Sequence, residues 1–419
     1  MGAALQQQRE EGRAAAAGLL RGGRAGIGGV RLPVLPVSWL AFDSELRRGN
    51  ASGPPEPRGA ARIEVRLCHP DGRIREAALR APRPPLPLVA IRCADWVPAV
   101  RERARRVLAE ALAADPARTL IELTALVLLL SRREHGVWAR DLFAAALRAE
   151  EPVLAPWWRP ARPASWWRAA RPAVTMTGEE PDTVLAWLCL AGDPPTRRFA
   201  ARITLDAGLF GVRKLARRAA AEQDPATAGL WTDAAMAALA ADGPDDEAVD
   251  ALLGGHLPAV RAAGVTALRR AGRGGEAGGH LVDRSGLVRA CARWLVRQEG
   301  GDPYAHYRAL VTDPDRVTRY AVAGFAECAG PQDAPLLRAL LERPGRGGDS
   351  VRAAAVAGLR ALGATDAALL LPLLEDPSPA VARQASLSLA AYRVLHAGGG
   401  AAGPRPPLGI RHPASDSVG

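Results

Sequence analysis

Small and apolar residues recur along this chain at a fixed offset of four. Three stretches show the pattern: LLEDPSPAVARQASLSLA (373–390), GRGGDSVRAAAVAGLRALG (345–363) and LPAVRAAGVTALRRAG (257–272). Each has an anchor, a small residue four places on, an apolar one at eight and often Gly at twelve. Nine anchors fit: Ile74, Val100, Thr196, Trp231, Val260, Val288, Val317, Val351 and Val381. Four residues on stand Ala78, Ala104, Ala200, Ala235, Gly264, Ala292, Ala321, Ala355 and Ala385. Eight on, seven of the nine are apolar: Leu108, Leu239, Leu268, Val296, Phe325, Leu359 and Leu389. Twelve on, Gly208, Gly243, Gly272, Gly300 and Gly363 stand where a helix C-terminus takes a positive φ. Offsets of four and eight keep these positions on one helical face, and the small residue lets a neighbouring helix approach.

Successive anchors from Thr196 to Val381 lie 35, 29, 28, 29, 34 and 30 residues apart. The step from Val100 to Thr196 is 96, three times 32, which leaves room for two further units. A second amphipathic stretch precedes most anchors: VLAWLCL (184–190), LFGVRKLARRAAAE (209–222), APLLRALLER (334–343) and AALLLPLLE (367–375). Two helices per unit of about 30 residues predict an all-α fold, an α-solenoid of stacked helix pairs.

The turns carry their own signal. Asp193-Pro194, Asp313-Pro314 and Asp376-Pro377 put a helix-capping residue ahead of a Pro suited to the first helical position. Turn Asp-Pro, then Val-Arg, then Ala and Leu resembles HEAT repeats, in particular the short bacterial HEAT-like type first named for phycobilisome lyases. The resemblance covers 62–151 and the main array 183–396, and it implies a fold that hosts many unrelated functions. Residues 1–61 are rich in Gly, Pro and Arg, and only VSWLAFDSELRR (37–48) reads as helical. Residues 152–182 interrupt the repeats as an insertion or hinge, and 397–419 have the composition of a flexible tail.

Composition agrees with close-packed helices. Hydrophobic residues make up 48% of the 419, Ala alone supplies 87, and aromatics are 5%. The formal charge is +11, yet Lys214 is the only lysine among 55 basic residues, a skew that weakens the basic pI as a sign of nucleic acid. Residues 1–120 hold 20 basic and 12 acidic groups; residues 181–419 hold 27 and 25. A nearly neutral main array ranks nucleic acid below protein as a partner.

Chemical motifs are sparse. The five cysteines form no CxxC pair, so neither a cysteine zinc site nor a disulfide framework is indicated. No two of the seven histidines share a helical i, i+4 spacing. HEAT-like hydroxylases hold iron through His-Glu pairs, and this chain has no His-Glu dipeptide. The turn CHPDG (68–72) reads as a cap for the next helix, and Asp245-Asp246-Glu247 as a helix start. RGGRAGIGGV (21–30) lacks dinucleotide-loop spacing. The apolar run Leu123 to Leu130 is too short for a membrane span and reads as a buried helix turn, so a cytoplasmic protein without metal or cofactor is expected.

An Arg follows the anchor at Arg75, Arg101, Arg197, Arg261, Arg289 and Arg352, and Asp95, Asp283 and Asp313 lie six residues before Arg101, Arg289 and Arg319. Such matched Asp and Arg can pair between neighbouring units as a ladder. One phrase stands apart. WWRPARP (157–163) is echoed by WWRAARP (166–172), giving Trp157, Trp158, Arg159, Arg162, Trp166, Trp167, Arg168 and Arg171. These residues are either a packed joint or a surface for a partner. The expected function is a non-enzymatic scaffold binding a protein on its concave surface. The rival is a repair-type or lyase-type HEAT enzyme. Repair glycosylases of this kind set an acidic residue beside tryptophans in a basic groove, and no basic groove is evident in this sequence.

Overall fold

The structure, a computed structural model, describes residues 2–22, 31–51, 62–148, 184–342 and 348–397. Its described residues are helical throughout, with 3-10 turns and no strand. The chain forms two compact units, Met1–Gly211 with Gln223–Ala234, and Val212–Glu222 with Ala235–Gly419.

In the second unit short and long helices alternate. Asp246–Leu253 precedes Pro258–Arg270, a 3-10 stretch Gly274–Val282 precedes Gly286–Gln298, and Pro303–Thr312 precedes Arg319–Ala326. Ala334–Ala339 precedes Gly348–Ala361, and Ala367–Leu373 precedes Pro379–Ala397. Each second helix bears an anchor or follows one directly, and equivalent helices pack on one another, as Arg319–Ala326 and Pro379–Ala397 do on Gly348–Ala361. The first unit repeats this with Leu86–Arg92 before Pro98–Ala114 and Val184–Leu188 before Pro194–Asp206. Between them Pro116–Leu130 and Val137–Arg148 occupy part of the interval allotted to two further units. This is an all-α helical-repeat fold.

The register is the one read from sequence. All nine residues four places after an anchor are buried, from Ala78 to Ala385. Gly264 takes the place of Ala because a Cβ there would lie 2.7 Å from the backbone nitrogen of Leu253 in the preceding helix. Positive φ occurs at Gly208, Gly243, Gly272, Gly300 and Gly363, the five predicted positions. In four of those units the carbonyl eight residues after the anchor accepts the N–H following the Gly, as Leu268 accepts from Arg273 at 2.9 Å. Gly243 is followed by Pro244, which has no N–H to give. Ile74, Val317 and Val296 are only half-buried; beside Val296, Leu295 fills the core. Leu359, at the plus-eight position, is wholly buried. We expect Leu359→Ala to lose about 2–5 kcal/mol in urea unfolding, and a loss under about 0.5 kcal/mol would show the register wrong.

The N-terminal reading needs correction. Instead of one helix at 37–48 there are two, Gly2–Gly22 and Pro36–Ala51, packed against each other. Gly12 marks a close approach between them: a Cβ on it would lie 2.0 Å from the carbonyl oxygen of Ser38. Trp39, Phe42 and Leu46 are buried, and Pro36–Ala51 packs on Leu86–Arg92 and Pro116–Leu130. The pair thus covers an end that stacked repeats would leave apolar.

The caps also differ in part. Asp193 caps its helix through the N–H of Thr196. Asp313 and Asp376 instead accept the N–H two residues on, at 2.9 Å each, inside turns that precede the helix. Asp245 caps Asp246–Leu253, and Asp71 of the CHPDG turn caps Gly72–Ala78, as expected. Leu123, Leu126, Val127 and Leu130 are buried in Pro116–Leu130. No described helix is long and apolar enough to cross a membrane.

Candidate partner-binding surface and the internal charge ladder

The arginines after the anchors face inward. Arg261 donates from Nε and Nη2 to both oxygens of Asp283, 2.9 Å each, and from Nη1 to the carbonyls of Gly255 and His256, 3.0 Å each. Arg75 does the same with Asp95, His69 and Pro70, and Arg352 pairs with Asp376. Arg101 and Arg197 reach carbonyls five and six residues back. Each acceptor Asp also takes the N–H two residues on, so one carboxylate shapes its own turn and holds the preceding unit. The inferred ladder exists in three rungs, those of Arg75, Arg261 and Arg352, while Arg101 and Arg197 are held by carbonyls. Arg289 pairs with Glu327, and Arg319 lies exposed over Tyr320, 4.5 Å from its ring centroid. Thr318 follows the anchor there and caps the helix through Ala321, which puts Arg319 one step round toward solvent.

Asp224, paired with Arg198 at 2.8 Å, and Asp283 of the ladder are carboxylates held charged by their partners. Burial would raise the pKa of Asp224, but hydrogen bonds from Arg198 and from the side chain and N–H of Thr227 outweigh it and hold the group at about 2. Asp283 is likewise lowered by Arg261 and the Ser285 N–H against burial. A carboxylate with a depressed folded pKa adds stability above its unfolded value, near 4, and that stability disappears as pH falls through the folded value. Asn at 224 keeps the shape and removes the charge. We therefore expect the difference in melting temperature between parent and Asp224→Asn at pH 6 to shrink between about pH 4 and pH 2.

Around Asp95 the ladder thickens into a buried network. Asp95 accepts from Arg75 at 2.8 and 3.0 Å, from Arg92 at 3.2 Å and from Arg47 at 3.4 Å. Arg92 also donates to Asp43, as does Arg47 at 3.3 Å, so the N-terminal helix pair is tied to the repeats by charge as well as packing. Arg75, Arg92 and Asp95 are fully buried. Trp96 covers the network, with Arg47 and Arg75 each 4.5 Å from its ring centroid. Burial, then the Asp43 charge, push the Cys68 thiol well above its ordinary range, which keeps it protonated rather than nucleophilic. Nδ1 of the buried His69 accepts the Asp71 N–H at 3.0 Å. These groups serve the turn.

The first unit also has an open groove of about 980 Å³. One wall is proline-rich, with Pro33, Pro36, Pro82, Pro84, Pro85 and Pro87; the other comes from the facing turns of Pro98–Ala114 and Pro116–Leu130. Proline presents apolar rings without N–H groups, so this wall makes few polar demands on an occupant. Val34 is 83% exposed and Ile121 40% exposed, both lining the groove. Arg118 and Glu122 pair at its rim at 2.8 Å.

The eight candidate residues of the doubled Trp-Arg phrase, Trp157 to Arg171, lie outside the described residues, as does nearly all of the tail. The groove was not foreseen. Its one sequence signal was the run PRPPLPL (82–88) before a helix, which periodicity does not register. Among the described residues no three His, Cys, Asp or Glu gather where they could hold a metal ion. Neither the known family models nor the curated proteins yield a match to this chain.

Proposed function

We propose that this chain is a HEAT-like scaffold that performs no chemistry and binds another protein. The observation that carries the reading is the proline-walled groove, which keeps Val34 and Ile121 in water. Open apolar surface of this kind marks a place where a partner sits. The ladder supports it from the other side, since the recurrent arginines that imitate a binding stripe are engaged internally. A reducing cytoplasm suits the five cysteines, all free thiols and three of them buried.

A photo-crosslinking residue placed at Val34 or Ile121 tests this in native extract. We expect a discrete adduct with one protein from both groove positions and none from the exposed control position Leu371. Adducts of equal yield from all three positions, or from none, overturn the reading.

A further inference from the structure

The second unit carries a surface of different chemistry. Helices Pro258–Arg270 and Gly286–Gln298 pack side by side and contain no Asp or Glu. Of their six arginines, Arg261 and Arg289 serve the ladder, and Arg293 donates to Glu327. Arg269, Arg270 and Arg297 are exposed and have no ion partner among the described residues. Of the bordering carboxylates, Asp283 pairs with Arg261 and Glu327 with Arg289 and Arg293.

Beside these arginines runs an apolar ridge. Leu287, Cys291 and Trp294 stand at i, i+4 and i+7 on one helix face. Leu287 is 52% and Trp294 41% exposed, and the guanidinium of Arg269 lies 5.5 Å from the Trp294 ring centroid. Trp and Arg around an apolar centre are the side chains that dominate protein interfaces. We propose that this face binds an acidic amphipathic peptide segment, its apolar side chains on the Leu287–Trp294 ridge and its carboxylates on Arg269, Arg270 and Arg297. A single-stranded nucleic acid fits less well. One exposed aromatic stacks one base, three arginines answer few phosphates, and Leu287 offers a base nothing to stack on. The face goes beyond the groove reading and belongs to the other unit.

The test uses the full-length protein and three fluorescent probes: a synthetic helical peptide of Glu and Leu in amphipathic register, its scrambled version, and an oligo-dT. Anisotropy should show the amphipathic peptide binding best. Trp294→Ala, and separately Arg269→Gln with Arg297→Gln, should each weaken it by about tenfold or more, the arginine pair also flattening its salt dependence. Leu371→Ala should leave the affinity unchanged. All these positions are exposed, so melting temperatures should stay at the parent value. Unchanged affinity in the Trp294 or arginine variants, equal binding of the scrambled peptide, preference for oligo-dT, or no binding by the parent overturns the proposal. Crosslinks from Val34 should persist in the Trp294→Ala protein, so the groove and this face fail independently.

Discussion

Asp95→Asn is expected to destabilise the protein by about 3–5 kcal/mol, because it removes a charge that three guanidinium groups share. Asn nearly preserves the volume of Asp and keeps one carbonyl acceptor, so packing changes little. What changes is neutralisation: Arg75 and Arg92 have no exposed surface, and Asp43 alone would remain to answer them and Arg47. A charge left unpaired in the interior carries its desolvation penalty without compensation. Urea unfolding of the Asn variant measures the loss, and a value below about 1 kcal/mol would show that water enters the network. The docking of the N-terminal helix pair should loosen first, since Arg47 and Asp43 reach the repeats through this same cluster. Faster amide exchange in Pro36–Ala51 than in Pro194–Asp206 would register that order.

Trp231→Ala is expected to cost about 3–5 kcal/mol by a different route. The indole is the largest fully buried side chain among the described residues, and it stacks on Phe210 with centroids 5.7 Å apart and planes 23° from parallel. Truncation leaves a cavity at a wholly buried position and removes an aromatic pair. Trp231→Phe should recover more than half of the loss by refilling most of the volume. Equal losses for Ala and Phe would mean that the stacking geometry, rather than volume, dominates. In a repeat fold the damage spreads mainly to adjoining helices, so exchange protection in Pro379–Ala397 should stay at the parent level.

Much of this fold was legible because a repeat states the same rule many times. One Ala four places after a Val means little in a chain so rich in Ala; nine small residues at that offset, all of them buried, define a contact face. The five helix-ending glycines were legible for the same reason, since each must reach a φ that other residues avoid. The N-terminal helix was hidden by the Gly-, Pro- and Arg-rich composition of 1–61, although the missing Cβ of Gly12 is what lets the second helix come close. Arg289 departs from the ladder because the carboxylate that answers it, Glu327, is the C-cap of Arg319–Ala326 rather than part of the intervening turn. The groove was invisible for a further reason. Its walls come from segments up to about ninety residues apart, and no local period connects Pro33 with Ile121.

Each ladder rung joins an arginine of one unit to the turn of the next, and this restricts how such a chain can change in length. An insertion or excision spanning a whole repeat carries both halves of a rung together and leaves the guanidinium of that rung facing its carboxylate. A cut at any other register strands one of them in the interior. Growth or shortening by complete modules is therefore the route open to this architecture, and the same constraint marks where it can be recombined: just before an anchor, where one rung closes and the next begins.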